Sequence, residues 1–381
     1  MNSRERVIAA LNHEEPDRIP LDLGGSYVTG ITKNAYIGLA QALGIDPEPV
    51  VLCDVVQQLA EPSEELLRKL DVDVRGVVPN IVRKNAPLEI CDGEEQFRDE
   101  WGVLWRRPEG SLYFDVAESP FSGQISEAVI ENFPWPDAAD PALFEGLEDK
   151  ARRHYDQGYA VMLDNLCAGL FEMCCRVRGT EQFLMDLVME PETACALLDK
   201  FVEMKLQYYT AAAQRVGGYV QLIREVDDMA GQQSMLISPD MYRQFIKPRH
   251  KLLFEAQKKL FPQPFYTFFH SDGAIFEIIG DFIEIGVDIL NPVQLTAKGM
   301  DAPELKQQFG KDVVFWGGGV NTQHVLPHAE PEQVRENVRE RITQLAPNGG
   351  FVFATVHNIQ DDVPAQNILA MLEAFREKRK H

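Results

Sequence analysis

The sequence predicts an α/β fold, a (β/α)8 (TIM) barrel, on three observations. Eight apolar, β-branched or aromatic runs recur along the chain, amphipathic stretches of helical period lie between them, and the later runs end in polar residues at turns. At 381 residues and 45% hydrophobic composition, the chain can bury such a barrel as one domain spanning 1–381.

The elements follow in order. Residues 1–12 form a charged amphipathic start, and the first strand-like run is RIPLDLGG, at about 19–25. Helical patterns at 33–43 and 63–70 precede the second run, DVRGVVPN at 73–80. The stretch 81–135 breaks the rhythm: short alternating segments separated by Asp-Gly and Glu-Gly turns predict a β-hairpin insertion over the barrel mouth. Helical patterns at 141–157 and 181–216 bracket the third run, YAVMLDNLC at 159–167, and the fourth is YVQLIREVDD at 219–228. The helix expected at 239–260 leads to FYTFFHSDG at 265–273, and that at 274–285 leads to VDILNPVQ at 287–294. A helix at 303–309 precedes VVFWGGGV at 313–320, one at 331–345 precedes GFVFATVHN at 350–358, and a last one covers 363–378. Several of these helices open with a proline, which fits the first turn because its missing N–H has no partner there anyway.

Charge narrows the function. A formal charge of −22 argues against partners that present phosphate, such as nucleic acid or an anionic membrane surface, since both require clustered Lys and Arg. The one basic run, 376–380, reads as cations at a helix end. The six cysteines form no CxxC pair and no apolar leader precedes them, which suggests a cytoplasmic protein with reduced thiols. No apolar stretch of about 18 residues is available to span a bilayer.

In a β/α barrel the reactive groups stand at the carboxyl ends of the strands. Here those positions carry Asp164 and Asn165; Arg224, Glu225, Asp227 and Asp228; His270 and Asp272; Asn291 and Gln294; Asn321 and Gln323; and His357 and Asn358. The set is rich in acids and imidazoles, which suits a divalent cation or acid–base chemistry. His270 and Asp272, two apart on an extended chain, point to the same side. With His357 they predict a three-ligand metal site with an open position, the pattern of a catalytic zinc; a hydrogen-bonding core histidine is the plain alternative. At least one of Glu225, Asp227 and Asp228 is expected to line the site, because three acids at one strand end are costly to bury unpartnered. The Gly317-Gly318-Gly319 run lacks the GK[ST] or GxxG continuation of a phosphate loop, so a close backbone approach is expected there.

Taken together, MNSRERVIAALNHEEPDRIPLDLGG, LRKLDVDVRGV, DEWGVLW, ISPDMYRQFIKPRHKLLF, FFHSDGAI, GVDILNPVQ, FWGGGVNTQ and DVPAQNILAMLEAF resemble the uroporphyrinogen decarboxylase superfamily over nearly the whole chain. The resemblance implies a (β/α)8 barrel and one of two activities, tetrapyrrole decarboxylation or methyl transfer with a corrinoid protein. The decarboxylases carry an arginine-rich segment near the N-terminus for the substrate's carboxylates, whereas LDLGGSYVTGITKNAY has no arginine there. The thiol-acting methyltransferases of the superfamily hold zinc with a His-x-Cys pair and a later Cys. By position His270 matches the histidine, Asp272 stands at the first cysteine and His357 near the second. Carboxylate and imidazole in place of thiolates make a bound ion harder, better suited to an ether or alcohol oxygen.

The resemblance therefore implies transfer of a methyl group from an O-methyl compound, plausibly an aryl methyl ether, to cob(I)alamin on a partner corrinoid protein. In that account His270, Asp272 and His357 hold zinc, Glu225 or Asp227 donates a proton, and Asn165, Asn291, Gln294 and Asn321 line or orient the substrate. Phe268, Phe269, Trp316 and Phe353 are the candidate aromatic walls, half of which must face the helices. The alternatives are a cofactor-free decarboxylase and a non-catalytic binder of a small molecule or tetrapyrrole. The resemblance also allows a homodimer.

Overall fold

A computed structural model describes residues 1–81 and 87–380; part of the stretch expected to be an insertion, 82–86, lies outside the described residues. Seven strands form one parallel, curled sheet: β1 (Val74–Val77), β2 (Ala160–Leu163), β3 (Leu222–Val226), β4 (Tyr266–His270), β5 (Ile289–Asn291), β6 (Val314–Trp316) and β7 (Phe351–Val352). Each pairs with its neighbour in chain order, so every connection advances by one strand. Registers such as Val226↔His270 and His270↔Asn291 align the strand ends at one level.

The first expected run, RIPLDLGG, forms no strand and makes only a single bridge, Leu21↔Phe353. Its main chain nonetheless links both edges of the sheet. Asp22 N–H donates to Phe353 C=O and Phe353 N–H to Pro20 C=O, both at 2.9 Å; Asp73 N–H donates to Leu21 C=O, also at 2.9 Å. Pro20 has no N–H, and the Gly24-Gly25 pair that follows ends the extended run.

Alternation sorts the strand side chains into two cores. Met162, Leu222, Phe268, Ile289, Val314, Trp316 and Val352 meet inside the curl, joined by Val7, Ala10 and Leu11 from the N-terminal helix Ser3–Leu11. Phe269, Phe315 and Phe353 point outward into the larger helix-facing core.

Two expected helices are divided for local reasons. The stretch 181–216 becomes Thr180–Met189 and Pro191–Val216, broken at Glu190 because a residue before proline is pushed out of the helical region. The stretch 141–157 becomes a 3-10 turn, Pro141–Phe144, and a helix, Leu147–Asp156, separated at Gly146 with φ +72°. A π-helical turn, Tyr242–Ile246, precedes Lys247–Leu260, where Pro248 lacks the N–H an α-helix needs. Residues 89–118 form a separate four-stranded antiparallel meander, Glu89–Cys91, Glu94–Arg98, Leu104–Arg107 and Asp115–Glu118. All six cysteines are free, and no described helix is long and apolar enough to cross a membrane.

Candidate metal and acid–base site

The parity of β3 decides which of its polar residues face the sheet interior. Arg224, Val226 and Asp228 line a cavity of about 180 Å³ at the carboxyl ends of the strands, together with His270 and His357. Glu225 and Asp227, one residue out of phase, point the other way. Glu225 accepts from Lys205 Nζ, Asn165 Nδ2 and the Tyr209 hydroxyl, all buried. Asp227 accepts from the Phe171 and Glu172 N–H groups at 2.9 and 3.0 Å, capping the helix Leu170–Arg178, and lies 2.9 Å from His250 Nε2. The structure therefore removes Glu225 and Asp227 from the cavity and leaves Asp228 in it.

His270 ends β4, and Asp272 follows it two residues on. One ligand atom each from His270, Asp272 and His357 lies within 4.8 Å of the others, and the His270 and His357 rings stand 5.2 Å apart. His270 Nε2 is 3.6 Å from Asp272 and 3.9 Å from Asp228, whose carboxylate accepts the Asp272 N–H at 2.8 Å. His357 takes φ +62°, a left-handed conformation that costs a non-glycine residue roughly 1–3 kcal/mol and tends to occur at functional sites.

The cluster is electrostatically coupled. Burial disfavours the His270 cation, yet the Asp272 hydrogen bond and charge, with Asp228, raise its pKa to about 9. Burial would lift Asp272, but His270 keeps it below the usual carboxylate value. Burial, then repulsion from Glu172 and Asp272, pushes Asp228 up to about 8. Burial draws His357 down to about 4. The Asp228 and Asp272 side chains keep 35% and 28% of their exposure, so solvent screens part of this coupling.

The donor set fits a divalent ion: two imidazoles and a carboxylate converge, and His270 Nδ1 is already engaged by Asn291, which leaves Nε2 to bind. Such an ion would have to displace the His270 proton.

The remaining expected residues fall elsewhere. Asn165 is committed to Glu225, and Gln294 accepts the Gly273 N–H at 2.7 Å, holding the loop after β4. Asn321 accepts from the Gln323 and His324 N–H groups in a partly exposed turn. Trp316 is fully buried inside the curl and donates to Asp22 at 2.9 Å, so it is an interior residue and not a substrate wall. At Gly317, φ is +118° and a Cβ would lie 2.3 Å from Pro292 C=O, which accounts for the first glycine of the run.

Sequence reasoning missed Tyr27, Asp54, Gln57, Glu172 and Arg176, which complete the polar part of the cavity lining. Glu172 and Arg176 carried a signal, an i,i+4 opposite-charge pair, and they meet at 3.3 Å. Tyr27 and Gln57 arrive on loops and Asp54 ends the short strand Leu52–Asp54; all three are distant in sequence from the other lining residues and carried none. Both cavity arginines are engaged, Arg224 by Asp164 and Arg176 by Glu172.

A curled parallel sheet with a convergent polar cluster at its strand ends defines an α/β protein of the kind that places chemistry on the loops after its strands. The family model for uroporphyrinogen decarboxylase (URO-D) matches residues 158–378, more than half of the chain, and the chain belongs to that family. It is 24% identical over 255 residues to a methylated-thiol–coenzyme M methyltransferase of Methanosarcina mazei, covering 65% of this chain and 62% of the relative. It is 28% identical over 205 residues to a uroporphyrinogen decarboxylase of Vibrio campbellii, covering 50% of each. The chain thus spans less than two thirds of the length of these relatives. A solved methyltransferase from Methanosarcina mazei shares the fold, with a TM-score of 0.65 at 16% identity over 99% of both chains.

Proposed function

We propose that this chain is a corrinoid-dependent methyltransferase that takes a methyl group from a small O-methylated compound, an aryl methyl ether, and passes it to cob(I)alamin on a partner protein. The observation that carries the reading is the convergence of His270, Asp272 and His357, a hard donor set without thiolate. The likeness to a methyltransferase supports the branch, and the linked sheet edges support a closed barrel in which residues 20–22 fill the eighth strand position. The four-stranded meander would be an insertion beside the mouth.

The cavity favours a small donor over a porphyrinogen. A volume of about 180 Å³ is close to the roughly 150 Å³ that accommodates benzene. A polycarboxylate would also meet Asp54 and Glu172, with both arginines already paired.

A divalent ion held by His270 Nε2, Asp272 and His357 would supply Lewis acidity at the ether oxygen, and zinc suits that role. The chain's own residues do the rest. Asn291 orients His270, while Tyr27 and Val28 wall the cavity against water. As the O–CH3 bond breaks, the acceptor's electron pair forms the new bond to carbon. The departing oxygen keeps the old bonding pair and takes a proton from Asp228, whose carboxyl group lines the cavity beside His270.

The test is methyl transfer from a methoxyphenol to reduced cobalamin by the zinc-loaded protein, followed as methylcobalamin absorbance. Turnover that falls at least a hundredfold in His270→Ala and His357→Ala, with loss of about one zinc per chain, is expected. Methyl thioethers outcompeting ethers, or porphyrinogen turnover without cobalamin, would overturn the reading.

A further inference from the structure

We infer that Asn291 is a positioning residue that fixes the proton of neutral His270 on Nδ1 and so aims the bare Nε2 at Asp272 and His357. The inference rests on the metal reading above only for its consequence; the proton's location follows from hydrogen bonding alone.

His270 and Asn291 are register partners on β4 and β5. Asn291 Nδ2 lies 2.7 Å from the Trp316 carbonyl oxygen. A carbonyl only accepts, so the amide end facing Trp316 must be the NH2 group, and Oδ1 must face the imidazole. Oδ1 stands 2.5 Å from His270 Nδ1. A carboxamide oxygen also only accepts, so Nδ1 carries a hydrogen in every protonation state that keeps this contact. The neutral ring therefore leaves Nε2 unprotonated, on the side where Asp272 and Asp228 lie. Asn291 is fully buried and His270 nearly so.

The amide itself is held from both ends. Trp316 lies in β6, and the next residue's N–H donates to Val352 C=O at 3.1 Å, while its indole is tied to Asp22. Asn291 C=O accepts the Ser271 N–H at 2.9 Å, pinning the backbone directly after His270. An aspartate here would set an acceptor against the Trp316 carbonyl, so amide chemistry is required at this position. Sequence reasoning placed Asn291 on the substrate; the structure turns it toward the imidazole.

The test uses the full chain labelled with 15N-histidine, compared as wild type, Asn291→Leu and Asn291→Ser. The serine variant is smaller and keeps a polar group, should leucine leave the protein unfolded. In metal-free protein at pH 10, above the His270 pKa, two-bond proton–nitrogen spectra are expected to show the Nδ1–H tautomer in the wild type. The variants should shift toward Nε2–H. Zinc titration at neutral pH should show binding weakened about 10–100-fold in the variants, at unchanged secondary structure. An Nε2–H wild type, or variants that keep the wild-type tautomer and bind zinc within threefold, would overturn the inference. A wild type that binds no zinc but shows Nδ1–H would sink the metal reading and leave this assignment standing.

Discussion

Replacing Lys205 with methionine tests whether Glu225 is a structural anion or a catalytic one. Lys205 and Glu225 are 0% and 1% exposed, and among the described residues the carboxylate is otherwise met by neutral donors, Asn165 Nδ2, the Tyr209 hydroxyl and the Val226 N–H. Burial works against the ammonium, but the Glu225 charge more than offsets it and raises the Lys205 pKa. Removing one partner of a buried pair strands the other charge, at a cost of about 3–5 kcal/mol. A chain of 381 residues unfolds with an entropy of roughly 0.8 kcal/mol/K, so the melting point should fall by about 4–6 °C. Neutralising both partners, in Lys205→Met with Glu225→Gln, should recover at least half of that loss. Calorimetry and urea titration read both quantities. A Lys205→Met protein within about 1 kcal/mol of wild type, or a Glu225→Gln protein of native stability and no turnover, would refute the structural assignment.

Three further outcomes are expected. Burial raises Asp22 to about 6 from 3.8; because the folded state holds the proton more tightly, its stabilising contribution is present below pH 4 and is lost as pH rises through 6, amounting to about 3 kcal/mol. Asp22→Asn should remove that slope from urea titrations run between pH 4 and 7, and parallel profiles for the two proteins would contradict it. Gly169→Ala places a Cβ 2.2 Å from Val226 C=O and 2.3 Å from Asp227, so it should cost about 1–3 kcal/mol; an unchanged melting curve would mean the helix cap yields more easily than its packing implies. Asp228→Asn should lower turnover by about 10²–10⁴ while zinc content stays near wild type, and full activity in single-turnover assays would exclude it as the proton donor.

Much of the fold was legible because seven of the eight apolar runs are strands in the expected order, while the eighth is stopped by Pro20 and the Gly24-Gly25 pair. The convergence of His270, Asp272 and His357 was legible only in part: His270 ends β4 and a spacing of two sets Asp272 on its side, while His357 lies well past the end of β7 and joins them through its loop. Strict alternation along β3 also separates Asp228 from Glu225 and Asp227, a distinction that counting acids at a strand end overlooks. Asn321 and Gln294 bond to loop N–H groups, since a polar residue after a strand serves a turn as readily as a ligand. Tyr27, Asp54 and Gln57 could not be read in advance, since two loops and the end of a three-residue strand, all distant in sequence, carry no periodicity that announces where they will meet.

The N-terminal helix has a consequence for the order of events. Val7, Ala10 and Leu11 plug the amino-terminal end of the curl, and the packed interior above them leaves no route through. Among the described residues, the candidate cavity at the carboxyl ends of the strands is therefore entered from that end. On the proposed chemistry, donor and acceptor share that single doorway, so the small donor must descend first and the bulky acceptor must settle over it like a stopper. The demethylated product then stays trapped until the acceptor departs. Excess acceptor protein should accordingly inhibit competitively with respect to the donor, a signature that a barrel open at both ends would not produce.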